Sequence, residues 1–376
     1  MREIDYWIWL SSLTGMGPVK AKKLLELYGD PKLIFDLPAA ELKNIKVLTP
    51  GNIEEITDGR KRERAGEIYR LMAKHNIKMV NLYDEAYPEN LKQIFDPPIA
   101  LYYTGKFHIS PFSIAIVGSR RTTRYGCMAA KKISYELALR GVQIVSGLAR
   151  GIDSIAHDGC LDAGGKTAAV LGCGLDTMYP PENAKLFESI VKAEGVILSE
   201  YPPGTPPLRH HFPARNRIIS GISSGVLVVE AAGKSGSLIT AAYALEQGRE
   251  VFAVPGNIDC VCSEGTNQLI KDGAKMVVSV EDILEEFSYQ EIMPGKNDSK
   301  RETGKEGNDF SSFRGLSAGE IRIAKIIGKG ICQIDGIIET SNIQAKEALN
   351  LLFMMEMKGI ITQLPGKNFE ICRRNE

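Results

Sequence analysis

The chain has 376 residues, 44% hydrophobic and 24% charged, an ordinary globular composition with room for two or three domains and a core that needs no disulfide or structural metal. Forty-six Lys plus Arg balance forty-six Asp plus Glu, which excludes bulk attraction to nucleic acid or membrane and makes any basic site a local one. Seven cysteines, with Cys260 and Cys262 as the only close pair and a single residue between them, fit neither a redox nor a zinc spacing and read as reduced thiols of a cytoplasmic protein.

Met1 to Leu10 mixes charges with apolar residues and lacks the apolar run of a signal peptide, and no stretch reaches the roughly 18 apolar residues of a membrane span. From residue 1 to 76 apolar residues fall at helical spacing (Leu10, Leu13, Val19, Leu24, Leu25, Leu27), which predicts a small helical domain. Within it Leu13-Thr14-Gly15-Met16-Gly17-Pro18-Val19 resembles a helix-hairpin-helix, or SAM-like, turn. The backbone N–H groups of such a turn can receive a DNA phosphate, although Gly-x-Gly-Pro also serves simply to end one helix and begin the next.

Residues 77–287 change texture. Short β-branched runs (Ile114 to Val117, Val142 to Val145, Thr167 to Leu171, Val196 to Leu198, Val226 to Val229, Val251 to Val254, Met276 to Val278) alternate with amphipathic stretches such as Cys127 to Leu139, Ala184 to Ala193 and Leu238 to Gln247. Alternating strand and helix with doubly apolar strands predicts an α/β, Rossmann-like core with a parallel sheet covered on both faces. Residues 288–314 are nearly free of large apolar side chains and read as a flexible linker. Residues 315–376 read as three helices (Ala318 to Ile327, Ile334 to Glu339, Ala345 to Met357, the last after a Ser341-Asn342 cap) and a hairpin around Pro365-Gly366, a winged helix. Its last helix has Lys346 as sole base beside Glu347 and Glu356, which favours a protein-interaction role over groove reading.

In an open parallel sheet ligands sit beyond the carboxyl ends of the strands. The loops there are Gly118-Ser119-Arg120-Arg121-Thr122-Thr123-Arg124, Ser146-Gly147-Leu148-Ala149-Arg150-Gly151, Gly172-Cys173-Gly174 and Glu230-Ala231-Ala232-Gly233-Lys234-Ser235-Gly236-Ser237, with Arg215-Asn216-Arg217 just before the fifth strand. Ser235, Gly236 and Ser237 open a helix and present N–H groups and hydroxyls to an anion, and the arginines match phosphate by bidentate geometry. Phe112 to Arg217 holds 13 Lys plus Arg against 9 Asp plus Glu, a local surplus inside a neutral chain. The first loop is not G-x-G-x-x-G and no P-loop occurs, so neither a dinucleotide fingerprint nor an ATPase is present. No His or Cys spacing matches zinc, and neither metal nor cofactor is expected. His157 reads as a packed or capping residue, and Glu200 and Glu230 as partners of Arg215 or Arg217.

These loops, in this order, resemble the DprA/Smf family. The match is carried by Gly118-Ser119-Arg120 with Tyr125-Gly126, by Ser146-Gly147 with Gly151-Ile152-Asp153 and Ala156-His157, by Gly172-x-Gly174 with Tyr179-Pro180, and by Ser199-Glu200. It continues through Phe212-Pro213-x-Arg215-Asn216-Arg217, Val229-Glu230-Ala231, Ser235-Gly236-Ser237 and Val254-Pro255-Gly256. The resemblance implies a homodimeric, non-enzymatic single-stranded DNA-binding protein of natural transformation and recombination that protects incoming strands and loads the recombinase RecA. By position it implies Gly118, Ser119, Arg120, Arg215, Asn216, Arg217, Ser235, Gly236 and Ser237 as contacts, with Arg124 and Gly147 beside them.

Two competing classes are open to test. A nucleotide-binding hydrolase of the LOG-like Rossmann group would carry Pro-Gly-Gly-x-Gly-Thr-x-x-Glu where this chain has Glu230-Ala-Ala-Gly-Lys-Ser-Gly-Ser. A transcription regulator would read duplex sequence through residues 316–376.

Overall fold

Runs dense in Val, Ile, Leu and Ala can be buried on both faces, so they line up as parallel strands between layers of helix. The computed structural model describes residues 2–287, 318–328, 333–341, 343, 345–357, 360–364 and 368–371. The expected linker at 288–314, the Asn342 cap and the Pro365-Gly366 turn lie outside the described residues. The chain divides into two compact units, Met1–Asn297 and Asp298–Glu376.

In the first unit nine strands form one sheet: β1 (Lys78–Asn81), β2 (Ala100–Gly105), β3 (Ser113–Val117), β4 (Gln143–Ser146), β5 (Thr167–Leu171), β6 (Val196–Ser199), β7 (Gly225–Val228), β8 (Glu250–Ala253) and β9 (Lys275–Met276). Their order is β1-β2-β6-β5-β4-β3-β7-β8-β9. The sheet is parallel from β6 to β9, with Ile114 opposite Ile144 on one side and Gly225 on the other. The chain steps outward from β3 to β6 and then returns to β7 on the far side of β3, so the topological switch lies between β3 and β7. The two edge strands β1 and β2 are antiparallel, a departure from the all-parallel expectation. Their segments, Lys-Met-Val-Asn and Ala-Leu-Tyr-Tyr-Thr-Gly, carry no run of β-branched residues.

Alternate residues of one strand serve opposite faces. Ile114 and Ile116 pack with Ala130, Ile133 and Leu137 of the helix Arg124–Leu139. Ala115 and Val117 pack with Ile218 and Ile219 of the helix His211–Gly221 and with Ala241 and Ala244 of the helix Ser237–Glu246. The N-terminal helices, including Glu3–Ser11, Gly17–Tyr28, Pro50–Thr57 and Gly59–Lys74, share a buried cluster with the sheet. Trp9, Leu10, Leu24 and Leu25 pack in one group with Tyr102, Leu171 and Ile197, and Ser11 Oγ lies 2.8 Å from the Tyr102 hydroxyl. Each fully buried Leu or Trp contributes on the order of 1.5–3 kcal/mol, so this cluster fastens the helices to the β2 side of the sheet.

The second unit has helices Ala318–Gly328, Ile334–Ser341 and Ala345–Met357, followed by a hairpin of β10 (Ile361–Leu364) and β11 (Asn368–Ile371) in antiparallel register. Ile323, Ile327, Ile337, Leu352, Met355, Ile361 and Phe369 form its core. Three helices and a terminal hairpin make the expected winged helix.

Candidate nucleic-acid interface

Beyond the carboxyl ends of β3, β4 and β5, three glycine-led loops meet because only glycine leaves them room. A Cβ on Gly118 would lie 2.7 Å from Ile152, and one on Gly147 would lie 2.5 Å from the Arg215 guanidinium and 2.6 Å from an Asp153 oxygen. Gly151, at φ +80, sits against the Ser119 carbonyl, which accepts the Ile152 N–H at 3.1 Å. The first loop is folded by its own serine: Ser119 Oγ donates to Arg121 O at 2.7 Å and accepts the Arg121 N–H at 3.1 Å. That turn leaves the Arg120 side chain exposed.

A shallow pocket results, lined by Arg120, Gly147, Ala149, Arg150, Leu171, Gly172, Tyr179, Pro180, Phe212 and Arg215. The Arg120 guanidinium lies over the Phe212 ring, 5.7 Å from its centroid, and the Tyr179 ring packs against Phe212 at 5.4 Å, tilted by 34°. The Tyr179-Pro180 peptide is cis. An exposed cation above one ring of an aromatic pair suits phosphate and base together. Sequence reasoning counted Tyr179 and Phe212 among family motifs and did not place them in the site; aromatics flanking a basic, glycine-rich loop were the available signal.

The two central arginines differ from Arg120. Arg215, 4% exposed, forms the pocket floor, donating to Gly147 O at 2.7 Å and to Val170 O. Burial pushes its pKa down to about 10 against the pull of Asp153. Burial likewise raises the Asp153 carboxyl, with Arg215 opposing. Asp153 accepts the Gly147 and Ala149 N–H groups at 3.2 and 3.4 Å and so shapes the second loop. Arg217 faces away from the pocket: its Nε donates to Asp96 at 2.9 Å, and Nη1 and Nη2 grip Glu200 at 2.9 and 2.6 Å. It lines instead a larger cavity of about 630 Å³ with Leu10, Pro98, Tyr201, His211 and Ala214.

Ser235, Gly236 and Ser237 form a neighbouring corner. The Ser235 and Ser237 hydroxyls lie 2.8 Å apart, and Asn216 Nδ2 donates to Gly236 O at 3.4 Å, which ties this corner to the helix His211–Gly221. Arg124 is exposed in the first turn of the helix Arg124–Leu139. The structure thus brings Arg120, Gly147 and Arg215 together at one pocket, leaves Gly118 and Ser119 in the loop that carries Arg120, and links Arg215 through Asn216 to Ser235, Gly236 and Ser237. It leaves Arg217 on the far face of the same helix.

Glu200 has its expected arginine, Arg217. Glu230, 2% exposed, has neither arginine: at the switch between β3 and β7 its carboxylate accepts the Thr123 N–H at 3.0 Å and the Thr123 hydroxyl. Thr123 Oγ1 in turn caps the helix by accepting the Gly126 N–H at 3.1 Å. A carboxylate of the chain itself therefore fills the helix start where nucleotide-binding relatives of this architecture receive a phosphate. A Cβ on Gly126 would lie 2.1 Å from the Glu230 carboxyl carbon. Gly126→Ala is expected to cost about 1–3 kcal/mol by this collision, more than the roughly 1 kcal/mol of helix propensity it gains. A urea midpoint lowered at unchanged m-value is the check.

His157, fully buried, places Nδ1 2.7 Å from Thr167 Oγ1, consistent with a packing role. Among the described residues no cluster of three or more His, Cys, Asp or Glu is placed to hold a metal ion, and no helix is long and apolar enough to cross a membrane.

The geometry defines a class: a Rossmann-like protein with an arginine and aromatic pocket over its strand ends and its nucleotide-phosphate position closed from within. The chain belongs to the DNA recombination-mediator protein A family, whose model matches residues 78–288, and the model of the DprA winged helix domain matches residues 312–367. Protein Smf of Escherichia coli is 41% identical over 77% of this chain and 76% of its own length. The DNA processing protein DprA of Streptococcus pneumoniae is 47% identical over 56% of this chain and 74% of its own. The crystal structure of DprA from Streptococcus pneumoniae superimposes with a TM-score of 0.64 at 37% identity, covering 77% of this chain and all of that one. A solved structure of DNA processing protein A from Helicobacter pylori, whose report concerns its single-stranded DNA binding mode, gives 0.51 at 32% identity, covering 56% of this chain and 97% of that one.

Proposed function

We propose that this protein binds single-stranded DNA in the pocket over β3, β4 and β5, protects the strand, and hands it to the recombinase RecA during transformation and recombination, without a chemical step. It does so as a cytoplasmic homodimer. The observation that carries the reading is the Arg120 guanidinium over the Phe212 ring, with Tyr179 against Phe212 and glycine loops beside them, since aromatic rings with an adjacent cation hold successive bases and phosphates without reading sequence. The single-stranded DNA binding mode described for the Helicobacter pylori relative supports it. Gly118, Ser119, Arg120, Gly147 and Arg124 on one side and Asn216, Ser235, Gly236 and Ser237 on the other are the proposed contacts. Arg215 supports the floor, and Arg217 positions the helix that carries it.

The test is anisotropy of fluorescent oligo-dT across a salt series. Arg120→Ala is expected to weaken binding about tenfold at low salt and to flatten the slope of log K against log salt by about 0.7, one single-strand phosphate. Its stability should not change, because Arg120 is exposed. A wild-type slope in Arg120→Ala removes the pocket assignment. Release of free base from a nucleoside monophosphate would bring the LOG-like hydrolase forward, a reading weakened by the engagement of both Glu230 oxygens with Thr123.

A further inference from the structure

A helix-hairpin-helix attracts a DNA phosphate through unpaired groups of its turn, and here two of those groups, the Thr14 hydroxyl and the Gly15 N–H, are already in use. Thr14 Oγ1 donates to Glu55 Oε1 at 2.8 Å, and the Gly15 N–H donates to Glu55 Oε2 at 2.8 Å. One carboxylate thus spans a hydroxyl and a backbone amide, as two phosphate oxygens would. It rests so closely on the turn that a Cβ on Gly15 would lie 2.9 Å from Oε2. Asn52 Nδ2 donates to Gly15 O at 2.7 Å, and Asn52 Oδ1 accepts from Lys20 Nζ at 2.7 Å. Lys61 Nζ stands 3.4 Å from Glu55 Oε1. Two of the cations near the turn, Lys20 and Lys61, therefore face the chain's own side chains.

The arrangement is built rather than incidental. Glu55 and Asn52 share the short helix Pro50–Thr57, whose start is fixed by the reciprocal Thr49 and Asn52 capping box, so the carboxylate and the carboxamide reach the turn together. Thr14, Gly15 and Lys61 also hold the Glu55 carboxyl below its ordinary pKa, although burial opposes them. It is charged at neutral pH.

We propose that Glu55 is an internal substitute for phosphate, a specificity-determining residue that closes the N-terminal turn to the DNA backbone. An incoming phosphodiester would have to displace a tethered anion and meet like charge while doing so, which is discrimination by repulsion. Nucleic acid is thereby confined to the pocket over the sheet; this last step rests on the function proposed above, whereas the closure of the turn does not.

The experiment uses the full chain with two probes, a fluorescent 20-base-pair duplex and an oligo-dT of equal length, each titrated over a salt series. Glu55→Ala is expected to raise duplex affinity five- to twentyfold at low salt and to steepen the duplex slope by about 0.9 to 1.8, one or two phosphates. Adding Lys61→Ala should remove most of that gain. Glu55→Gln, which keeps the shape without the charge, should show a smaller gain in the same direction and stands in if the alanine variant does not fold. Unchanged or weaker duplex binding in the folded alanine variant, or in the glutamine variant where alanine fails to fold, overturns the proposal. So does a gain that survives loss of Lys61. Arg120→Ala on the Glu55→Ala background separates the two readings: it should lower oligo-dT binding and leave the duplex gain intact. If it leaves oligo-dT binding unchanged while the duplex gain persists, the pocket reading falls and the turn closure stands.

Discussion

Arg217→Ala is expected to lower the unfolding free energy by about 3–5 kcal/mol, the usual cost of removing one partner of a buried ion pair. Arg217 is 3% exposed, and its fork grips Glu200 bidentately while Nε takes Asp96. Burial opposes the charge, yet Glu200 and Asp96 together raise the guanidinium above its ordinary pKa, so the cation persists at any working pH. Truncation leaves the Glu200 side chain, 14% exposed, in the cavity wall without the arginine that grips it. Arg217→Lys should recover only part of the loss, because one ammonium cannot reproduce a planar fork aimed at two carboxylates. Urea denaturation of the three proteins measures this directly. The oligo-dT salt slope of Arg217→Ala at temperatures where it is folded should match wild type. A slope flattened by one phosphate would instead make Arg217 a strand contact.

Acidification below pH 6.5 is expected to destabilise the protein through His157. Thr167 Oγ1 has one proton and donates it to Ile144 O at 2.7 Å, so His157 Nδ1 must be the donor toward Thr167. Nε2 is then bare, buried and without a hydrogen-bond partner. Burial, with the Arg215 charge adding to it, pushes the imidazole pKa down to about 3. The unfolded chain takes up this proton near pH 6.5 and the folded chain does not, so the stabilisation is complete above pH 6.5 and is lost as pH falls toward 3. The slope is about 1.4 kcal/mol per pH unit, or about 2 kcal/mol between pH 6.5 and 5, a window above the titration of ordinary carboxylates. His157→Gln, whose amide can still donate to Thr167, should flatten the dependence in that window. Parallel slopes for the two proteins would place the acid sensitivity elsewhere.

The parallel strands β3 to β8 were legible because each is a short run rich in buried apolar residues, closed directly by glycine at β3, β4 and β5, and β5 coincides with its expected run, Thr167 to Leu171, whereas β9 is Lys275–Met276 where Met276 to Val278 was expected. β1 and β2 were not, since Lys78–Asn81 is half polar and Ala100–Gly105 carries no β-branched run, and β2 joins the sheet by antiparallel pairing with β6. Loop membership in the candidate site could be read from strand order, as Gly118 to Arg120 and Gly147 illustrate. What could not be read was which charges would be spent internally. Asp96 stands 121 residues from Arg217, Thr123 stands 107 from Glu230, and Glu55 stands 40 from Gly15. Such pairings depend on tertiary approach, and a carboxylate that will hold a loop looks the same in sequence as one that will pair with arginine.

The Glu230 carboxylate, the Thr123 cap and the missing side chain at Gly126 occupy one volume between β3 and β7. They can therefore be exchanged only as a set. A chimera that takes its first loop from one relative and its fifth from another would put a mismatched trio at the sheet's centre, and recombination breakpoints between residues 126 and 230 are tolerable only where both parents carry the same three residues.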